Sequence, residues 1–257
     1  MGYMKKTRKT VDQKIIEKDL YYTYHALPET KEARKTRAKK INQTPEQQKE
    51  TNRRHAASKL ALKIANNFNA GDWYLTMTIS GTVPVREDVK KSLDKFMSNL
   101  RRYYKRKGDE LKYVAVIENL TGRGRPHAHM LINALPAEDM AAIKKYMAAI
   151  EKYWTLGRVR IDLFGGEVDD SADLASYFKK EDVDQHSGRI RTSTNLIDPI
   201  EKKEKVKRSE CYSTRIVEPK GYHIHKRLTY QGYTKDGYPC QHIVFVKNEN
   251  KISQRGE

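Results

Sequence analysis

Two histidines one residue apart, His127 and His129, sit in a short apolar run that follows Pro126 and continues as Met130-Leu131-Ile132. The run is too short for a buried helix and reads as a strand. Strand side chains alternate faces, so His127 and His129 share one face and Ala128, Met130 and Ile132 share the other. Two imidazoles about 7 Å apart along one face can converge on a single metal ion. The small and apolar residues behind them can pack on a core. The plainer alternative is a half-buried strand carrying two solvated histidines.

A second group with chemistry lies about fifty residues on. Residues 169–180 read as a helix with an acidic first turn, as the helix dipole favours. Asp173, Tyr177 and Lys180 fall at i, i+4 and i+7, so a carboxylate, a phenol and an ammonium form one polar stripe. Leu174 and Phe178 make a separate apolar pair. The structural alternatives are a first-turn acid at N3 behind an Asp170 cap and an ordinary amphipathic tyrosine among the sixteen in the chain.

The elements that must position these groups follow from periodicity. Residues 111–118 read as a strand that pairs with the histidine strand as a hairpin. A turn centred on Gly122-Arg123 suits a type II′ geometry and places Glu118 directly opposite His127, on the histidine face. A one-residue bulge would break that register. Residues 73–80 alternate as a strand, with Trp73, Leu75, Met77 and Ile79 on one face and Tyr74, Thr76, Thr78 and Ser80 on the other. Residues 86–107 are helical in pattern and end in Arg101-Arg102-Tyr103-Tyr104-Lys105-Arg106-Lys107. That basic run could grip phosphates and bases, although the macrodipole alone accounts for cations at a helix end. Residues 136–153 read as a helix and 157–164 as a strand. Before all this, residues 1–58 are rich in charge and poor in core-forming residues. They contain a basic run at 31–40 and a helix start at Thr44-Pro45-Glu46-Gln47. They read as a basic, helical or partly disordered arm, either gripping DNA or simply solvated. The division is then an arm over 1–58, a catalytic domain over 59–183, and a basic extension over 184–257. The extension holds a basic stretch at 202–208 and a hairpin of strands 222–229 and 243–246 around residues 234–237.

The chain has 257 residues and a formal net charge of +18. Such an excess of Lys and Arg points first to nucleic acid and second to an anionic membrane surface. No apolar run approaches the 18 or so residues that a membrane span requires. The N-terminal residues show no secretory pattern, and Gly2 with Thr7 misses the myristoylation spacing. Cys211 and Cys240 are expected as reduced thiols in a cytoplasmic protein. No Gly-rich phosphate loop with Lys-Ser/Thr is present, so no P-loop ATPase is expected.

Taken in order, Asn67-Phe68-Asn69-Ala70-Gly71-Asp72-Trp73-Tyr74-Leu75-Thr76-Met77-Thr78, Gly124-Arg125-Pro126-His127-Ala128-His129 and Ser176-Tyr177-Phe178-Lys179-Lys180 resemble the three motifs of the HUH endonucleases of rolling-circle replication. Each is weak alone; three in this order are specific. The resemblance spans residues 60–182 and is greatest to plasmid and filamentous-phage (gene II type) replication initiators. It implies an α/β (α+β) fold of ferredoxin-like or RRM-like architecture, with a central antiparallel sheet and helices packed on one face. It implies Mg²⁺ or Mn²⁺ held by His127, His129 and Glu118, and Tyr177 as the nucleophile toward single-stranded or hairpin origin DNA. Lys180 would stabilise charge, and Asp173 would take the place of a second tyrosine at termination. Arg101, Arg102, Lys105, Arg106, Lys107, Arg123, Arg125, Thr76 and Thr78 are candidate DNA contacts. A separate helicase and host replication proteins would be partners, in a bacterial cytoplasm. Relaxases and transposases share the chemistry, but relaxases usually place the tyrosine before the histidines. A non-catalytic nucleic-acid binder on an RRM-like sheet is the alternative from another class, and it would carry stacking aromatics on the open face. His223-Ile224-His225 is a second His-x-His, without a preceding proline or a following Tyr-x-x-Lys helix.

Overall fold

The computed structural model describes residues 2–23, 44–80, 86–118, 127–181, 190–207, 215–233 and 238–248. In chain order the elements are β1 (Gly2–Lys9), β2 (Ile15–Thr23), α1 (Pro45–Ala65), β3 (Trp73–Thr78), α2 (Arg86–Arg106), β4 (Tyr113–Glu118), β5 (His127–Ile132) and α3 (Met140–Glu151). They continue with β6 (Val159–Leu163), α4 (Val168–Glu181), β7 (Arg191–Thr192), β8 (Ile200–Val206), β9 (Tyr222–Ile224), β10 (Tyr230–Tyr233) and β11 (Pro239–Lys247). The fold is α+β with two antiparallel sheets. The chain divides into two compact units, one of residues 51–197 and one of residues 1–50 with 198–257.

The unit over 51–197 is built on a five-stranded sheet ordered β6-β3-β5-β4-β7. Trp73, Leu75 and Met77 of β3, Ala115 and Ile117 of β4, and Ala128, Met130 and Ile132 of β5 make one buried face with Val89, Leu93, Phe96 and Leu100 of α2 and Ile150 of α3. The alternation read from β3 and β5 is therefore the observed one, and α2 and α3 are the expected helix layer. A second layer lies on the other face. Val114 and Val116 of β4 and Leu131 of β5 are buried there with Leu60 and Ile64 of α1 and Ala175 and Phe178 of α4. β4 is buried at every position, and a central strand that is apolar on both sides needs cover on both.

The segment between α1 and β3 is tied down by side chains. Asn67 Nδ2 donates to the Lys63 and Ile197 carbonyls, and its Oδ1 accepts from the Ile197 amide. Asp72 accepts from the amides of Asn69 and Ala134. These contacts account for Asn67 and Asp72 as structural residues.

Within residues 1–58, α1 begins at Pro45 as read from Thr44-Pro45, but the helical or disordered reading is corrected for residues 2–23. Residues 2–9 and 15–23 are strands, within a six-stranded sheet that runs β10-β11-β2-β1-β8 with β9 on β11. The reason lies in cross-strand charge. Lys5 pairs with Glu204, Lys6 with Glu201, and Arg8 with Glu17 and Asp19. The partners of Lys5 and Lys6 arrive from β8, nearly two hundred residues away, so a local reading sees only unsheltered charge. Leu20, Ile243 and Phe245 form the apolar side of this sheet. β10 and β11 pair directly, and residues 222–224 form a separate short strand on β11 rather than the first arm of that hairpin. Cys240 is a free thiol. The basic run at 31–40, the turn at 122–123, Arg123, Arg125 and Cys211 lie outside the described residues. No described helix is long and apolar enough to cross a membrane.

Candidate active site

The hairpin register puts Glu118 opposite His127 and Val116 opposite His129. On the other side of β5, Thr76 pairs with His129 and Thr78 with His127. One face of three adjacent strands therefore carries Glu118, His127, His129, Thr76 and Thr78. α4 crosses the same face. Its buried Ala175 and Phe178 seat it on the sheet, and that seating turns the next flank, with Tyr177, toward Glu118.

The phenol of Tyr177 donates to Glu118 Oε2 at 2.9 Å and lies 3.4 Å from His129 Nε2. Tyr177 is 38% exposed, whereas Glu118 and His129 are 5% and 8% exposed. The hydroxyl therefore sits between a buried acid–imidazole pair and solvent. Burial pushes the Glu118 carboxyl up, but hydrogen bonds from His129 and Tyr177 and the charges of His129 and His127 outweigh it, and the carboxyl titrates below its usual range. On the far side of the ring, His129 Nδ1 lies 2.9 Å from the Tyr74 hydroxyl and 3.5 Å from Thr76 Oγ1. Burial, followed by the nearby charges of Glu118 and Asp162, drives the Tyr74 phenol well above its ordinary value, so it stays neutral.

Tyr74 is a site residue that sequence reasoning left without a role. The signal was available: pairing of Thr76 with His129 makes Tyr74 the diagonal neighbour of that histidine on the same face.

The donor set suits a hard divalent cation. Two imidazoles and a carboxylate share one face, and Glu118 Oε1 is buried with no hydrogen-bond partner among the described residues. The three side chains do not converge here. The His127 and His129 rings are 6.4 Å apart, and among the described residues no three His, Cys, Asp or Glu side chains are gathered closely enough to share an ion.

Other expected site residues separate from this centre. Thr78 Oγ1 donates to the Arg158 carbonyl and accepts from the Arg158 amide, both at 3.2 Å, so it serves the backbone. Arg101, Arg102, Lys105 and Arg106 sit at the end of α2, next to Tyr113 and Tyr153. Arg101 donates to the Tyr113 hydroxyl and Arg106 to that of Tyr153, and Lys107 lies over the Tyr146 ring. Tyr113 begins β4 and Glu118 ends it, so this basic run is at the opposite end of the sheet from Tyr177. Asp173 is exposed one turn before Tyr177. It is not at N3 behind an Asp170 cap, because α4 starts at Val168 and Asp170 itself accepts from the Glu167 amide. Lys180 follows Tyr177 on α4, with its side chain outside the described part. His223 Nδ1 is bonded to Asn248 Oδ1 at 2.7 Å, a structural contact.

Residues 72–182 match the family model Replication-associated protein ORF2/G2P. Over this segment the chain is similar to that family. The matched segment opens at Asp72, whose carboxylate holds the loop before β3, and closes just after Glu181, where α4 ends. It thus takes in β3, the hairpin of β4 and β5, and the helix with Tyr177. No curated protein and no solved structure matches the chain.

Proposed function

We propose that this protein is a replication initiator that nicks single-stranded origin DNA. It leaves a 5′-phosphotyrosine and a free 3′-hydroxyl primer for rolling-circle replication. The carrying observation is the Tyr177 hydroxyl, open to solvent and bonded to Glu118 Oε2 at 2.9 Å beside His129.

His127, His129 and Glu118 would hold Mg²⁺ or Mn²⁺, which when bound supplies polarisation of the scissile phosphate and offsets charge on its oxygens. Tyr177 oxygen attacks phosphorus, the bond from phosphorus to the 3′ oxygen breaks, and that oxygen leaves with a proton from solvent. The phenolic proton passes to the acceptor it already faces, Glu118 Oε2. With the cation bound, His129 would donate through Nδ1 to the Tyr74 oxygen, 2.9 Å away, which is how a partner behind a ligand sets its tautomer. Asp173, one helical turn before Tyr177, activates water or a terminal hydroxyl at termination, and Lys180 steadies the phosphate charge. Unwinding comes from a separate helicase.

The test is a nicking assay on a 3′-labelled single-stranded origin oligonucleotide with Mn²⁺. Label should become trapped on the protein, and Tyr177→Phe should abolish the adduct while binding persists. Binding without cleavage across metals and sequences would instead establish a non-catalytic nucleic-acid binder.

A further inference from the structure

We propose that β6, the edge strand of the five-stranded sheet, carries a phosphate clamp made of Arg158 and Arg160. The clamp grips the single strand that runs across the sheet from Tyr177. This rests on the nicking reading above and names a binding track for it.

The register carries the inference. Thr76 pairs with His129 on one side and with Arg160 on the other. Thr78 pairs with His127 on one side, and on the other its amide donates to the Arg158 carbonyl at 2.8 Å, which extends the ladder by one step. Both arginines therefore lie on the histidine face, two strands over, about 10 Å from the histidines across the sheet. The apolar cluster on this face is drawn from β4, β5, α1 and α4 with Phe68, Phe164 and Leu196, and has Tyr74 of β3 packed against it; it does not include Thr76, Thr78, Arg158 or Arg160. Among the described residues, no further strand lies outside β6. A polar shelf is thus left beside the nucleophile, with two exposed arginines at its outer edge.

The shelf is built firmly. Besides the Thr78 amide, the Thr78 hydroxyl bonds both the amide and the carbonyl of Arg158. The Ser80 amide donates to the Leu156 carbonyl at 2.8 Å, and Trp154 Nε1 donates to the Thr78 carbonyl at 2.8 Å. The Arg158 backbone is therefore immobilised while its side chain is exposed. Arg160 is held differently. Its Nε and Nη2 lie 3.0 and 2.9 Å from Asp162 Oδ1, on the same face, with the arginine side chain 78% exposed. So exposed a pair is weak, and a phosphate that accepts two parallel bonds from a guanidinium can displace the carboxylate. Meanwhile Asp162 keeps the guanidinium near the shelf. The competing explanation is that charge on an edge strand merely discourages pairing with another chain.

The experiment measures single-stranded oligonucleotide binding by the full chain in a Tyr177→Phe background over a series of salt concentrations. Arg158→Ala and Arg160→Ala should each weaken binding several-fold. Each should make the slope of log K against log salt shallower by about 0.7. The loss should be equal on scrambled sequences, because phosphate contacts carry no base information. Arg160→Lys should recover the slope, and Lys145→Ala, an exposed charge on α3, should leave it unchanged. In protein with Tyr177 intact, the arginine variants should form less adduct at low DNA and recover at saturating DNA. Unchanged affinity and slope in both arginine variants overturns the clamp even where the protein cleaves. Weakened binding with no adduct from any protein overturns the nicking reading and leaves the clamp standing.

Discussion

At the scale of single residues, the site depends on one hydroxyl held by two buried partners. The Tyr177 hydroxyl donates to an acceptor on another element. The acceptor is Glu118, kept ionised by His129 and by the hydroxyl itself. Tyr74 matters in the same way, since it fixes the ring of His129 from behind. Asp173 is exposed, one turn before Tyr177 on α4. Asp173→Asn should leave first-strand nicking within about twofold of wild type and slow termination by about 100-fold, the scale of a lost general base. Single-turnover nicking and release of circular product read the two steps separately, and equal loss in both would refute the role.

At the scale of elements, a few close contacts decide where the chemistry points. α4 begins at Val168, and its buried Phe178 and Ala175 set the rotation that aims Tyr177 at the sheet. The approach to β6 is as tightly set. A Cβ on Gly157 would run into the Thr78 carbonyl oxygen, the same oxygen that accepts from Trp154. Gly157→Ala should therefore destabilise the fold by about 1–3 kcal/mol, in the range of overpacking, read as a lower midpoint in urea. It should also weaken single-strand binding by displacing Arg158. An unchanged midpoint would show that residues 156–158 yield without cost.

At the scale of the whole molecule, +18 charges must be accommodated, and the sheet of the unit over 1–50 and 198–257 does so with paired charges. Asp19 is a central example. Burial pushes its carboxyl up, but the hydrogen bond and charge of His242, with Arg8 and Lys6, outweigh that and hold it below the usual range. Its unfolded value is about 3.9. A depressed folded pKa contributes stability that is full above the unfolded value and is lost as pH falls through the folded one. Thermal unfolding should thus weaken below about pH 4, and Asp19→Asn should flatten that acid limb while lowering stability at neutral pH. A wild-type acid limb retained in the variant would assign it to other carboxylates, among them Glu17, Glu201 and Glu204.

Local pattern alone determined much of the unit over 51–197: the alternation of Trp73 to Thr78, the helical spacing from Val89 to Leu100, the pairing of His127 with His129, and the stripe of Tyr177. Each depends on backbone periods of 2.0 or 3.6 residues, which neighbouring residues display directly. Even the opposition of Glu118 and His127 was legible, because a short hairpin fixes its own register. Tertiary structure decided what no local window contains. It showed that residues 2–9 and 15–23 are strands, because the charges that shelter Lys5 and Lys6 come from β8. It moved the basic end of α2 away from Tyr177, because strand direction separates Tyr113 from Glu118. And it set Arg158 and Arg160 beside the histidines, because side-by-side pairing of β3 and β6 joins residues some eighty positions apart along the chain.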